Sequence, residues 1–315
     1  MKETTLKISD ITPPFNFDLT AKYYCFYPWS YSNNICTRVE KLSSGKITKW
    51  FIWSQGSIDN PKLLVKIKSL YPLTATDKKE IINKIYWCFG LKENLTDFYR
   101  ICETDPFLKK AKENLYGLRI RAFPTILEAL IESISAQNIP LSRVYLIMKL
   151  ICEKLGERIK FDGEVDYTFP DIKRMKEASI TEFYQCKVGY RANYILELVK
   201  TILKNKIDLE SLKNLPTEKA REILMSFKGV GEYTSNLTLI IGLRRKDILH
   251  LDLWTREIIS TFYFKRKLSD QKILKFAKEK WKGYTSLALM YLLTDVDNLS
   301  WEFGIQLRLK SAATT

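Results

Sequence analysis

The chain has 315 residues, 46% of them hydrophobic and 13% aromatic, a composition that excludes an intrinsically disordered protein and predicts two packed units. Its 51 lysines and arginines outnumber 36 acidic residues, and the net charge of +15 favours a polyanionic partner such as DNA, RNA or an anionic membrane. No apolar run is long enough to span a bilayer and no signal-peptide pattern stands at the N-terminus, so the sequence predicts a soluble intracellular protein.

The cysteines and the single histidine give no sign of a metal site. Six cysteines without any CxxC spacing predict buried free thiols instead of a disulfide framework; they are Cys25, Cys36, Cys88, Cys102, Cys152 and Cys186. His250 has no nearby set of ligands that would hold zinc. We therefore predict no structural or catalytic metal and no cofactor.

The N-terminal part of the chain alternates between apolar and polar side chains with the period of a strand. Residues 23–27, 35–39 and 46–53 are rich in aromatic and β-branched side chains, and Ser-Ser-Gly and Gln-Gly turns separate them. This pattern predicts an antiparallel sheet of about four or five strands. Together with one helix, the sheet would form a small β-domain over residues 1–100.

Helix-period runs begin at Asp77, and no strand is predicted after that point. Thr125–Glu128 has the spacing of a capping box and precedes an apolar helix face that ends at Ser135–Pro140. Another amphipathic helix is predicted over residues 141–155. Residues 101–315 would thus form a mainly α-helical domain, and the predicted fold class is α+β.

The helical part is organised around a hairpin at about residues 217–243. An amphipathic helix meets a Gly-Val-Gly turn, and a second apolar helix follows it. Glycines let a backbone approach closely, and free N–H groups at the start of the second helix favour an anion such as a DNA phosphate. The residues predicted to bind the DNA backbone are Lys228, Gly229, Val230, Gly231 and Thr234.

The hairpin sequence Gly229–Asn236, with Asp252 sixteen residues later, resembles the helix-hairpin-helix (HhH-GPD) DNA glycosylases, whose signature is such a hairpin followed by a catalytic aspartate. It is most similar to the 3-methyladenine DNA glycosylase II branch, which has Gly-Ile-Gly-x-Trp-Thr-Ala-Asn there. Trp281–Leu289 is similar to a Trp-Lys-x-Trp-x-Ser-x-Ala-Leu helix of that branch. Gly189–Tyr194 looks more like the Gly-Tyr-Arg-Ala segment of 8-oxoguanine glycosylases. The resemblance covers about residues 105–295.

The resemblance implies that Asp252 is the catalytic residue. Cleavage of an N-glycosidic bond passes through an oxocarbenium-like state, which a carboxylate near the sugar stabilises while water attacks C1′. An aspartate at this place is also a favoured N-cap, and the two interpretations are compatible because a cap position fixes the carboxylate at a helix start.

The position of Tyr233 bears on the type of reaction. Family members with lyase activity carry a lysine there, which forms a Schiff base with the sugar, and a tyrosine cannot do so. The sequence therefore predicts a monofunctional enzyme that uses water. Lys228, on the other side of the glycine turn, is the alternative amine.

The resemblance also implies a base pocket walled by Tyr233, Leu293 and Trp29. An aromatic ring at Tyr233 can stack on a positively charged alkylated base. Leu293 and Leu237 stand where the alkyl-base branch has aromatic residues, so the pocket is expected to be more aliphatic and could admit oxidised or deaminated purines.

The corner after the helix that follows Thr125 is similar to the segment that glycosylases insert into the duplex when the damaged nucleotide turns out. The candidates for this wedge are Gln137, Asn138 and Ile139. Ordinary helix-end chemistry before a proline is the alternative explanation of this stretch.

The sequence thus predicts a monofunctional repair glycosylase that removes damaged, alkylated bases from double-stranded DNA. We expect a monomer without membrane contact that works on the chromosome, in the cytoplasm of a prokaryote. One alternative is a bifunctional glycosylase and lyase on oxidised purines. Another is a non-catalytic DNA-binding protein that has kept the hairpin.

Overall fold

The computed structural model describes residues 1–307 and 309, and its N-terminal part contains a five-stranded antiparallel sheet. The strands are β1 (Lys2–Ile8), β2 (Trp29–Ser32), β3 (Ile35–Lys41), β4 (Ile47–Ser54) and β5 (Leu63–Ser69). Their order in the sheet is β1-β5-β4-β3-β2. Burial alternates along β5, where Leu63, Val65 and Ile67 point into the core. The predicted antiparallel sheet is confirmed.

The strand predicted over residues 23–27 is wrong. Phe17–Lys22 forms the helix α1, and the side chain of Asn16 caps its first turn. Tyr24 then adopts a left-handed backbone with a φ of 49°, which a continuous strand does not allow. Aromatic side chains of this segment pack into the helical core instead; Phe26, for example, is 0% exposed.

The helix α2 (Ala75–Phe89) packs on the sheet. A capping box begins it, because the hydroxyl of Thr74 accepts from the N–H of Asp77 (3.1 Å) and the carboxylate of Asp77 accepts from the N–H of Thr74 (2.8 Å). Ile81 and Ile85 on its inner face share one buried cluster with the strand residues. Burial of this face holds the helix against the sheet.

The rest of the chain is mainly helical, which confirms the α+β fold class. The helices are α3 (Thr96–Glu103), α4 (Pro106–Asn114), α5 (Ile126–Ser135), α6 (Leu141–Leu155), α7 (Ile172–Glu177), α8 (Ile180–Gln185), α9 (Arg191–Asn205), α10 (Thr217–Met225), α11 (Glu232–Ile241), α12 (Leu253–Ile258), α13 (Asp270–Trp281), α14 (Thr285–Thr294) and α15 (Val296–Glu302). A 3₁₀ helix spans Leu209–Asn214 and a π-helix spans Ile259–Phe264. Over residues 1–307 and 309, no helix is both long and apolar enough to cross a membrane.

One expectation about the helical part is wrong. A two-stranded sheet of β6 (Arg158–Phe161) and β7 (Glu164–Tyr167) interrupts it, although no strand was predicted beyond Asp77. Each strand has four residues and only Phe161 among them is buried, so the pair has too little apolar alternation to show in the sequence.

Two buried clusters divide the molecule. The sheet cluster ends at Leu91 and the helical cluster begins at Leu95, apart from Phe26, which the N-terminal part contributes. We propose the boundary between the domains 1–100 and 101–315 close to this change. The last residues of the second domain lie outside the described part of the chain.

The helix α5 lies between the sheet and the hairpin. It approaches α11 closely, since a Cβ added to Gly242 would lie 2.8 Å from the Cβ of Ala129. Toward the sheet, Glu128 of α5 accepts two hydrogen bonds from Arg38 of β3, at 3.0 and 2.8 Å, and Arg38 also donates to Glu40 at 2.6 Å. All three charged side chains are buried. This contact fixes α5, whose C-terminal end leads to the predicted wedge.

Candidate active site

The predicted hairpin consists of α10, α11 and the turn between them. Gly229 has a φ of 80°, and a Cβ there would lie 2.3 Å from the ring of Tyr194, so the turn requires glycine. Gly231 is the N-cap of α11, and no side chain caps this helix, which leaves its first N–H groups open. Lys228 and Gly231 are exposed, whereas Val230 packs into the core.

Gln137 ties the corner after α5 to the hairpin. Its side-chain amide donates to the carbonyl oxygen of Gly229 and to the hydroxyl of Thr234, both at 2.8 Å. Thr234 is 1% exposed, so its side chain serves this contact. Asn138 is exposed and has a left-handed φ of 52°, and Ile139 is half-buried against the helical core. Of the three wedge candidates, Asn138 has the exposed side chain.

The segment Gly189–Tyr194 braces the same corner. Arg191 is 5% exposed and donates a hydrogen bond to the carbonyl oxygen of Gln137. The hydroxyl of Tyr190 lies 3.5 Å from the side-chain amide of Asn138. This segment therefore supports the corner and, through Tyr194, also contacts the hairpin turn.

Asp252 is the N-cap of α12, as the sequence suggested. One carboxylate oxygen accepts a hydrogen bond from the N–H of Thr255 at 2.7 Å, and the other has no hydrogen-bond partner within the described residues. The preceding loop is held by two bonds: the hydroxyl of Thr255 donates to the carbonyl of His250 (2.7 Å), and Asn236 donates to the carbonyl of Leu249 (3.4 Å). The half-buried carboxylate of Asp252 is thus oriented and has one free oxygen.

Four ring side chains gather around Asp252. The ring centroids of Tyr233 and His250 lie 4.4 Å apart, and those of Tyr23 and Tyr24 lie 4.7 Å apart. Burial raises the pKa of each of the three phenols, and the negative charge of Asp252 adds to each rise. Burial lowers the pKa of His250, which favours a neutral imidazole. We call these four side chains the ring cluster.

A buried carboxyl group next to the ring cluster was missed in the sequence. Glu132 is 0% exposed, its Oε1 has no partner, and its Oε2 lies 3.5 Å from the hydroxyl of Ser133. Burial raises the pKa of Glu132 to about 8, and its charge acts on the phenols of Tyr24 and Tyr233. The only signal in the sequence was a second acidic residue in the apolar helix Ile126–Ser135.

The structure does not bring Trp29 to the ring cluster. Its ring packs edge-on against Trp50 and Phe89 in the sheet cluster, because β2 begins at this residue. The N-terminal aromatic residues that reach Asp252 are the tyrosines before it. Leu293 is half-buried on α14, which packs against α12.

Exposed positive charges follow the candidate site in the chain. They lie on the turn before α13, along α13 and just after it, at Lys265, Arg266, Lys267, Lys272, Lys275, Lys278 and Lys282. Arg256 binds Asp270 at 2.8 Å, which links α12 to the start of α13. This side of the molecule is therefore basic.

Known proteins share the fold and the segment that builds this site. Residues 131–283 match the HhH-GPD superfamily base excision DNA repair protein family. A DNA-3-methyladenine glycosylase of Bacillus subtilis (strain 168) is 27% identical over 296 residues, which cover 90% of this chain and 95% of that protein. A 3-methyladenine DNA-glycosylase from Archaeoglobus fulgidus has a TM-score of 0.79 at 22% identity, with 91% of this chain and 97% of that chain covered.

A second solved structure contains DNA. It is a Clostridium acetobutylicum 8-oxoguanine glycosylase/lyase in complex with double-stranded DNA that has cytosine opposite 8-oxoguanine. Its TM-score is 0.72 at 20% identity, with 94% of this chain and 98% of that chain covered. The family match over residues 131–283 includes the braced corner, the hairpin and Asp252. Residues 131–283 of the chain thus belong to the HhH-GPD superfamily of base excision DNA repair proteins.

Proposed function

We propose that the chain is a monofunctional DNA N-glycosylase that removes alkylated bases from double-stranded DNA by hydrolysis. The observation that carries this proposal is the carboxylate of Asp252, which Thr255 holds through one oxygen and whose other oxygen is free beside Tyr233. Such a carboxylate stabilises the positive charge that grows on the sugar as the base leaves, and water completes the reaction at C1′. The names of the Bacillus and Archaeoglobus relatives support an alkylated purine as substrate.

The hairpin and the corner suit two different tasks in holding the duplex. The open N–H groups after Gly231 and the cation of Lys228 suit the phosphates of the backbone. Asn138 suits the gap that the extruded nucleotide leaves, since it is exposed on a corner that Gln137 and Arg191 hold rigid. The basic side at α13 would extend the attraction to DNA.

The ring cluster suits the extruded base. Tyr233 is 36% exposed and presents an aromatic ring beside the free oxygen of Asp252. A positively charged alkylated base stacks favourably on such a ring and leaves the sugar more readily than a neutral base. Leu293, on the neighbouring helix, is the proposed aliphatic wall.

The second candidate is a bifunctional glycosylase and lyase on oxidised purines, which the fold shared with the Clostridium glycosylase/lyase favours. A lyase needs an amine at the sugar, and Tyr233 stands at the lysine position of the hairpin. Lys228 stands before the glycine turn, within electrostatic reach of Glu197 on α9. These placements favour hydrolysis.

Single-turnover excision on duplexes that each carry one lesion tests the proposal. The lesions are an alkylated purine, hypoxanthine and 8-oxoguanine, and the products are analysed both directly and after alkali. We expect strand breaks only after alkali, with the alkylated purine released fastest. Asp252→Asn should slow excision by about 10³-fold. It should leave folding and duplex affinity intact, because asparagine also caps a helix.

Three outcomes would overturn parts of this proposal. Breaks without alkali, together with a borohydride-trapped complex, would establish the lyase. Full activity of Asp252→Asn would remove the aspartate from the reaction. Release of no lesion, with equal affinity for damaged and undamaged duplexes, would leave a DNA-binding protein. Asp97→Asn, which changes an exposed aspartate at the start of α3, is the matched control and should excise at the wild-type rate.

We also propose that the chain acts as a monomer on the chromosome, inside a prokaryotic cell. The hairpin, the corner, Asp252 and the ring cluster all come from one chain, so a single copy has every proposed contact with the lesion. Light scattering of the complex with a short damaged duplex should give one protein per duplex.

A further inference from the structure

Arg121, on the segment between α4 and α5, is a buried cation without a carboxylate partner. It is 3% exposed, and no carboxylate oxygen of a described residue lies within 4.0 Å of its guanidinium. The guanidinium lies 4.3 Å from the ring of Trp29 and 5.3 Å from that of Phe89, and it donates to the carbonyl of Ala21. Burying such a charge is costly unless an anion compensates it.

Two thiols occupy the place of the missing anion. Arg121 donates to Sγ of Cys36 at 3.5 Å. The thiol of Cys25 lies near both groups, since Cys36 and Arg121 each act on its pKa. By comparison, Arg38 is equally buried and has two carboxylates within 2.8 Å. A thiolate next to Arg121 would compensate the buried charge of Arg121, as the two carboxylates compensate the charge of Arg38.

The contacts favour ionisation of Cys25. The hydrogen bond from Cys36 and the charge of Arg121 lower the pKa of Cys25 to about 6, although burial opposes them. Burial raises the pKa of Cys36 well above its usual range. It also raises the pKa of the four other thiols, those of Cys88, Cys102, Cys152 and Cys186. Cys25 is therefore the nucleophilic thiol of the chain at neutral pH.

Cys25 is also accessible. It lines a surface cavity of about 430 Å³, with Lys22, Tyr145 and Lys149 among the other lining residues. The partner thiol of Cys36 is 0% exposed. A small reagent can thus approach Cys25 from the cavity, whereas Cys36 is shielded from it.

We propose that Cys25 and Cys36 form an oxidation site that accepts a small hydroperoxide. The thiolate of Cys25 attacks the peroxide, an S–O bond forms while the O–O bond breaks, and the sulfur gives two electrons to the leaving oxygen, which takes a proton from solvent. The product is a sulfenic acid. The thiol of Cys36 then loses its proton and attacks this sulfur; an S–S bond replaces the S–O bond, and the hydroxide leaves with that proton as water.

Peptide mass spectrometry of the full chain after treatment with hydrogen peroxide and dimedone tests the site. In the wild type we expect a disulfide between Cys25 and Cys36. In Cys36→Ser, the sulfenic acid has no resolving thiol, so dimedone should label Cys25. Cys25→Ser should form neither product at either position. Cys186→Ser, which changes a buried thiol that donates to the carbonyl oxygens of Leu150 and Glu182, is the matched control and should form the wild-type disulfide.

The pH dependence of alkylation tests the ionisation independently of any variant. The rate at which iodoacetamide modifies Cys25 in the wild type should reach half its maximum near pH 6. A midpoint at about 8.5, the value for an ordinary thiol, would overturn the proposal. Oxidation at another cysteine, or accumulation of the Cys25 sulfenic acid in the wild type without a disulfide, would overturn it as well.

Discussion

Two glutamates one turn apart on α5 face two different regions of the molecule. Glu128 faces the sheet, where it and Glu40 bind Arg38 with distances of 2.6 to 3.0 Å. Glu132 faces the ring cluster near Asp252 and has no partner for Oε1. Glu128 is 1% exposed and Glu132 is 0% exposed. The same side chain at the same depth is therefore fully hydrogen-bonded in one region and largely unpaired in the other.

The difference separates a structural region from a functional one. An unpaired buried polar group lowers stability, so most such groups in folded proteins find partners. Beside the ring cluster, Oε1 of Glu132, Nδ1 of His250 and one oxygen of Asp252 all have none in the described chain. These unpaired groups lie where we propose that the base binds, whereas the contact of Glu128 with the sheet is complete without a ligand.

The largest effect on stability is expected for Glu128→Gln. The change leaves the buried Arg38 with Glu40 as its remaining carboxylate partner, and we expect the free energy of unfolding to fall by about 3 kcal/mol. Urea unfolding at pH 7 measures this. Glu177→Gln, at an exposed site on α7, is the control and should change stability by less than about 0.5 kcal/mol. A similarly small effect at Glu128 would contradict the structural role of the sheet contact.

Glu132→Gln should raise the free energy of unfolding, whereas Glu128→Gln should lower it. Because burial raises the pKa of Glu132 from 4.5 to about 8, the folded chain keeps a proton that the unfolded chain has lost in this window. The wild type should therefore lose up to about 1.4 kcal/mol of stability per pH unit between these values through this group. Glu132→Gln removes that slope, so it should be the more stable protein near pH 8 and differ less near pH 5.

Denaturant unfolding of both proteins in steps from pH 5 to pH 8 measures the difference. Parallel stability curves would mean that Glu132 is ionised in the fold and has a partner. Glu177→Gln, at the exposed control site, shows whether any removed carboxylate gives the same slope.

The sequence was sufficient for the parts of the site that depend on local spacing. The turn at Gly229 needs glycine for its φ of 80°, and the aspartate at Asp252 caps the helix that follows it. Both requirements act over a few residues, so they leave a pattern that can be read directly. The exposed corner at Asn138 could likewise be predicted from local spacing in the sequence.

The rest of the site depends on contacts between distant segments. Tyr23 and Tyr24 reach Asp252 only because the chain turns between α1 and β2, and the same turn directs Trp29 into the sheet core. Glu132 and Glu128 look alike in the sequence, since nothing local says which of them meets Arg38. Residues whose partners lie about 90 positions away cannot be assigned from periodicity.

Tyr233→Leu tests the ring cluster as the base pocket. Loss of the aromatic face should lower single-turnover excision of a cationic alkylated purine by about tenfold, the value of a stacking or cation–π contact. Tyr233→Phe keeps the ring and should stay within about twofold of the wild type. If phenylalanine loses as much activity as leucine, the hydroxyl and not the ring makes the contact.

The smallest effect is expected at the wedge, for Asn138→Gly. Glycine adopts the φ of 52° without strain, whereas alanine would be strained there. The change to glycine therefore removes the side chain while the corner stays folded. Excision from a fully paired duplex should slow by about fivefold, because the gap behind the extruded base is no longer filled. The loss should shrink when the lesion lies in a mismatched pair, since such a base is already partly unstacked. An equal loss on both substrates would show that Asn138 acts on folding or on overall affinity, and the wedge would then have to be Ile139.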